Sequence, residues 1–172
     1  MRLDIVVANY YSSNVSILLQ YKRGFLRDEK TYATGGGSDL RYTVVGDMNN
    51  DGQLDIAIAN YGTNDVGILF GLGNGAFLNQ MIFDTGVQSH PSCIALGDTE
   101  LDFAVAYDGT MTVDIFLGSG NGTFVRQISD GIHFVLAPLF IASGDINGDG
   151  ISEMWLFAYF VIALGLISSA LL

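Results

Sequence analysis

An all-β chain, a partial β-propeller of about three four-stranded antiparallel blades, is the architecture the sequence predicts, and three observations predict it. First, a unit recurs: Leu3-Asp4-Ile5-Val6-Val7-Ala8-Asn9-Tyr10 returns 51 residues on as Leu54-Asp55-Ile56-Ala57-Ile58-Ala59-Asn60-Tyr61, and 47 further on as Leu101-Asp102-Phe103-Ala104-Val105-Ala106-Tyr107. A fixed period of this length is the signature of stacked supersecondary units. Second, other marks keep the same phase. Gly73-Asn74-Gly75-Ala76-Phe77 recurs as Gly120-Asn121-Gly122-Thr123-Phe124, and Thr34-Gly35 as Thr85-Gly86. Third, the 172 residues hold 22 glycines and only two prolines, with many aromatic and β-branched residues between them. Short strands joined by tight turns need that mixture.

Each unit reads as strands. In the second, Tyr42–Val45 and Leu54–Asn60 flank an acidic loop. A turn at Tyr61–Asn64 follows, then Asp65–Phe70, the Gly-Asn-Gly turn, and Phe77–Phe83. The turns carry Gly, Asn and Asp, the residues that tolerate positive φ. Four short strands in roughly 50 residues make one propeller blade. The units span about 3–35, 42–86 and 92–131, with a partial unit at 138–153. Pro138–Ser143 has two readings. It either completes the N-terminal unit and closes a ring of three blades, or starts a fourth unit. The chain reads as a fragment, an abbreviated copy, or an open array whose blade edges pair with copies of itself.

Charge is distributed unevenly. Residues 1–41 carry six basic and four acidic side chains; residues 42–172 carry one basic residue, Arg126, and fourteen acidic ones. Such a field repels nucleic-acid phosphates and attracts cations. The acidic residues stand singly in Gly/Asn loops, unlike those of a disordered acidic tail. The lone cysteine, Cys93, excludes an internal disulfide and reads as buried packing.

The acidic loop is the candidate site. Asp47, Asn49, Asp51 and Asp55 occupy positions 1, 3, 5 and 9, with Gly52 at position 6 for a sharp turn. Alternate spacing turns side-chain oxygens towards one centre, and the backbone carbonyl of Gln53 at position 7 adds another. Three carboxylates, an amide oxygen and a carbonyl suit a hard cation, Ca2+ above all. The set returns as Asp145, Asn147, Asp149, Gly150, Ile151 (backbone) and Glu153, with Glu in place of Asp at position 9. In the third unit only Thr99-Glu100 separates Gly97-Asp98 from Leu101-Asp102, so no site is expected there. An EF-hand is excluded: position 12 is Ile58 in one loop and Leu156 in the other, where that motif needs Glu.

At these residues the chain resembles the FG-GAP/VCBS repeats of integrin α propellers and many secreted or surface proteins. The match rests on Val44-Val45-Gly46-Asp47, the loop Asp47–Asp55, the strand Leu54–Tyr61 and Gly73-Asn74-Gly75-Ala76-Phe77, and covers about residues 3–154. The resemblance implies calcium held at Asp47, Asn49, Asp51, Gln53 (backbone) and Asp55, and again at Asp145, Asn147, Asp149, Ile151 (backbone) and Glu153. It implies a structural rather than catalytic metal, and an extracellular or cell-surface setting. The full ring of that family needs more blades than the three and a half units offered here.

Residues 154–172 hold no charge. They read as a membrane-spanning helix at the lower length limit, as the next blade's strand followed by a tail, or as a lipid-anchor signal. The N-terminus is no secretion signal, because Asp4 interrupts a short apolar run. Two glycosylation sequons occur, at Asn121 in a turn and at Asn14 at the head of a strand. Catalysis is not expected. His90 and His133 stand outside the acidic loops without a nucleophile motif, and carboxylates pair only where ligation is the simpler role. Two function classes stay open. One is a calcium-binding segment for adhesion or recognition of a protein or glycan. The other is a purely structural module or truncated copy of a larger protein, such as the non-catalytic part of a hydrolase.

Overall fold

The computed structural model describes residues 4–97, 102–127, 133–144 and 153–158. Within them every regular element is a β-strand. The order is β1 (Ile5–Asn9), β2 (Asn14–Lys22), β3 (Phe25–Ala33), β4 (Leu40–Gly46), β5 (Asp55–Asn60), β6 (Asp65–Leu69), β7 (Met81–Asp84), β8 (Pro91–Leu96), β9 (Phe103–Tyr107), β10 (Thr112–Gly118), β11 (Phe124–Gln127), β12 (Pro138–Gly144) and β13 (Glu153–Ala158). All pairings are antiparallel between chain neighbours. They form two four-stranded sheets, β4-β5-β6-β7 and β8-β9-β10-β11, a three-stranded sheet β1-β2-β3, and a two-stranded sheet β12-β13. These are propeller-like blades in the phase set by the repeat. The first strands β4, β8 and β12 lie beside one another.

Alternation explains how the blades stack. Along each second strand the side chains point to opposite faces. Val6 and Ala8 of β1 pack towards the second blade, where Ile56, Ile58 and Leu69 meet them. Ala57, Ala59, Val66 and Ile68 face the third blade and meet Phe103, Val105, Tyr107 and Phe116. Ala104, Ala106 and Val113 meet Ile141 of the fourth. The small residues on one face leave room for the rings opposite. Both faces of the second blade are therefore covered, and all of β5 and β6 is buried. Each fully buried Ile contributes about 1.5–3 kcal/mol.

The structure corrects three boundaries. The fourth strand of the second blade is shorter than the expected Phe77–Phe83. Phe77 makes an isolated bridge to Gly71, Leu78 donates to the Phe70 carbonyl, and pairing resumes only at Met81. The turn before it needs positive φ at Gly73 and Gly75, and this wide loop delays the strand. Pro138–Ser143 does not complete the first blade, because β12 pairs with β13. Finally, a helix running from Met154 is not formed: Met154–Ala158 belong to β13. Among the described residues no helix is long and apolar enough to cross a membrane, and 159–172 lie outside them.

Candidate metal site

The loop at residues 47–54 joins β4 to β5, whose ends are held in register by the pair Gly46↔Asp55. Its outer half is a nest of side-chain-to-backbone bonds. The Asp51 N–H lies 3.1 Å from both Asp47 Oδ1 and Asn49 Oδ1, so these two oxygens converge on one donor. Gly52 N–H donates to Asp47 Oδ2 at 2.8 Å, and Gln53 N–H to Asp51 Oδ1 at 2.7 Å. Asn49 Nδ2 donates to Asp51 Oδ2 at 3.0 Å. Gly52 has φ 79°, the conformation expected of position 6. Between the ligand candidates the chain turns Met48 inward, fully buried among Phe70, Phe103 and Phe116. That apolar plug anchors the loop, and its position between two polar residues hid it in the sequence.

Asp55 does a different job. It is fully buried, and each of its oxygens accepts one backbone N–H: Oδ2 from Met48 at 2.7 Å and Oδ1 from Gly71 at 2.8 Å. The carboxyl's pKa is raised above the ordinary range, chiefly by burial. The two N–H bonds act the other way, and the charges of Asp51 and Asp47 push it up further. The Gly71 bond recurs in each of the first three blades at the same separation. Gln20 N–H donates to Asp4 Oδ1 at 2.9 Å, and Gly118 N–H to Asp102 Oδ1 at 2.7 Å. In the third blade the acidic loop is gone, yet Asp102 and its bond persist. The aspartate of each Leu-Asp pair is therefore a staple between the second strand and the hairpin end 16 residues later. The signal was in the sequence, as Leu-Asp surviving where the loop did not.

The donor chemistry of Asp47, Asn49 and Asp51 is all oxygen, as a hard cation requires. Their arrangement is only partly gathered. Among the described residues no three His, Cys, Asp or Glu side chains converge closely enough to hold a metal, and Asp55 accepts backbone N–H groups of Met48 and Gly71. No cationic side chain among the described residues pairs with Asp47, Asp51 or Asp55. The loop also forms one wall of a cleft of about 600 Å3 between the first and second blades, through Gly52, Gln53 and Leu54.

The second set is only framed. Asp145, Asn147, Asp149 and Ile151 lie outside the described residues. Glu153 opens β13 and pairs with Gly144, the register that Gly46 and Asp55 have in the second blade. Asp98 and Glu100 also lie outside; Asp102 is bonded as above.

Other sequence candidates fall elsewhere. His90 stacks on Tyr61 with centroids 4.6 Å apart, and its Nδ1 lies 3.0 Å from the Tyr61 carbonyl. Tyr61 in turn donates to Asp108 Oδ2 at 3.1 Å and carries Arg41 over its ring. This cluster joins turns of successive blades, away from the acidic loop. His133 is exposed. Cys93 is buried against Ile141, as packing predicts. Asn121 is exposed in its turn, and its oxygen accepts from Thr123 N–H at 3.0 Å. Asn14 accepts from Asn9 Nδ2 at 2.7 Å, and Val15 and Ser16 of its sequon are buried.

Comparison with known proteins follows the same phase. The family model described as FG-GAP-like repeat matches residues 1–58 and 96–156. No curated protein matches the chain.

Proposed function

The chain belongs to the FG-GAP-like repeat family, and on that premise we propose that it is a calcium-stabilised, non-catalytic propeller segment that works outside the cell in adhesion or ligand binding. The observation that carries the calcium reading is the loop at 47–55. Asp47, Asn49 and Asp51 gather their oxygens on one turn, and the charges of Asp51 and Asp47 are felt at the Asp55 carboxyl without a cationic partner among the described residues. A divalent cation relieves that repulsion. Asp47, Asn49, Asp51 and the Gln53 carbonyl would hold it, while Asp55 braces the loop from behind. The loop at 145–153 is the second proposed site. The ion's contribution is rigidity: it fixes the hairpin between β4 and β5 and with it the register of the blade. The exposed Asn121 suits a secreted glycoprotein.

Calcium titration by calorimetry, with thermal melting in parallel, tests the reading. The expected result is one or two sites and a Tm that rises with free Ca2+, because a ligand bound only by the native state stabilises it. Asp51→Ala removes the site at 47–55. A melt indifferent to both calcium and chelator overturns the metal reading. It leaves the purely structural module, for which the blade-on-blade packing is the whole purpose.

A further inference from the structure

The turn between the third and fourth strands is built alike in the second and third blades, with an Asn-Gly pair at its tip. Leu72 N–H donates to the Ala76 carbonyl at 2.9 Å in one, and Ser119 N–H to the Thr123 carbonyl at 3.0 Å in the other. Asn74 and Asn121 are both exposed. The glycine after each has positive φ, 75° at Gly75 and 81° at Gly122. Without a side chain, glycine lets its own nitrogen approach the carboxamide beside it. Neither glycine N–H donates a hydrogen bond among the described residues. The two carboxamides differ in their partners. Asn74 Oδ1 accepts one bond, from Ala76 N–H at 2.9 Å. Asn121 Oδ1 accepts two, from Thr123 N–H at 3.0 Å and from the Thr123 hydroxyl at 2.6 Å. Both donors sit on the oxygen that gains negative charge when a nucleophile adds to Cγ.

We propose that Asn121 is a site of spontaneous deamidation assisted by Thr123. The Gly122 nitrogen loses its proton to water or hydroxide and bonds to Asn121 Cγ. Charge develops on Oδ1, where the Thr123 N–H and hydroxyl already point, and the turn holds the reacting groups as chain neighbours. Nδ2 takes up a proton and leaves as ammonia, which closes a succinimide. Water then opens that ring at either carbonyl, giving aspartate or isoaspartate. The balance is water consumed and ammonia released, with no oxidant or reductant. Gly122 packs on Phe70 and on Asn49 of the acidic loop. The product therefore carries a new carboxylate in the turn that touches that loop, and the isoaspartyl form adds a main-chain methylene at the contact. A glycan on Asn121 blocks the reaction, because both use the same carboxamide nitrogen.

The test is timed incubation of the 172-residue chain in mildly alkaline buffer, after production in a host that attaches no glycan. Peptide mapping by mass spectrometry follows each asparagine, and enzymatic methylation counts isoaspartate. Asn121 is expected to convert to a mixture of aspartate and isoaspartate. Thr123→Val keeps the backbone donor and removes the hydroxyl. It slows conversion at Asn121 at least about threefold, far less than loss of a donor costs an enclosed enzyme site, because this turn is open to water. Thr123→Ser restores the rate, and Asn74 in the same samples is unaffected by either change. In urea the Thr123→Val effect disappears, since only the folded turn aims the hydroxyl at Oδ1. Thr123 is exposed; Thr123→Ala replaces the valine variant if melting shows a folding defect. An Asn121 that stays intact overturns the proposal. So does a hydroxyl-free variant that converts at the wild-type rate, or a slowing that persists in urea.

Discussion

Asp51 lies in the acidic loop and Asp55 opens the strand that follows it, and their replacement by alanine has different consequences. Asp55→Ala deletes two charge-assisted bonds, to Met48 N–H at 2.7 Å and Gly71 N–H at 2.8 Å, in a fully buried site. Hydrogen bonds to charged groups are worth about 1.5–3 kcal/mol each, and a stranded buried N–H adds its desolvation cost. Against this, the raised pKa of the Asp55 carboxyl shows that burying it is itself costly, so part of the loss is returned. The expected destabilisation is about 2–4 kcal/mol, a fall in Tm of about 5–15 °C for a chain of this size. Asp51 is exposed, and its bonds to Gln53 N–H and Asn49 Nδ2 compete with water. Asp51→Ala is expected to cost under about 1 kcal/mol in chelator. In millimolar calcium the order of sensitivity changes: the wild type gains stability and Asp51→Ala does not. Urea unfolding followed by tryptophan fluorescence and circular dichroism, with and without chelator, measures all three chains. If Asp55→Ala proves as mild as Asp51→Ala in chelator, the staple is refuted.

Two further outcomes follow from the packing. Arg126 binds the buried Asp114 carboxylate at 2.6 Å and donates to the Thr85 carbonyl at 2.8 Å, tying the third blade to the end of the second. Arg126→Ala is expected to cost about 2–3 kcal/mol, because a carboxylate is left buried with less compensation. Adding Asp114→Asn recovers part of that loss, and a loss that the second change deepens argues against this account. The Cys93 thiol is held above its usual pKa, chiefly by burial, and receives the Ile141 N–H. It therefore stays protonated at neutral pH. It should react with an aromatic disulfide at least about a thousandfold more slowly than the unfolded chain. Rapid labelling under native conditions contradicts this burial.

Much of the molecule was legible beforehand, because the repeat is written in local chemistry. Gly, Asn and Asp at the turns set where strands end. The Leu-Asp and Gly-Asn-Gly marks set the phase, and the phase supplied the blades and the strand order of the second one. Strand ends were less legible. The stretch from Phe77 to Gln80 has strand composition at its start, but the two positive-φ glycines before it widen the turn and postpone pairing. The apolar run from Met154 was ambiguous for another reason. Both a membrane helix and a strand covered on both faces remove the alternation that would separate them. Pairing with β12 decides for a strand over Met154–Ala158.

For the acidic loop, the sequence determined which oxygens stand at alternate positions and that glycine makes the turn. It could not divide their labour. Asp47, Asn49, Asp51 and Asp55 look alike in a row, and spacing alone assigns all four to an ion. Only the tertiary structure decided that Asp55 is buried and bonded to two backbone N–H groups. One of them, on Gly71, lies on another hairpin brought in by the fold. The physical reason is that coordination preference belongs to residue type and spacing, whereas competition for a carboxylate depends on which donors the packed chain places beside it.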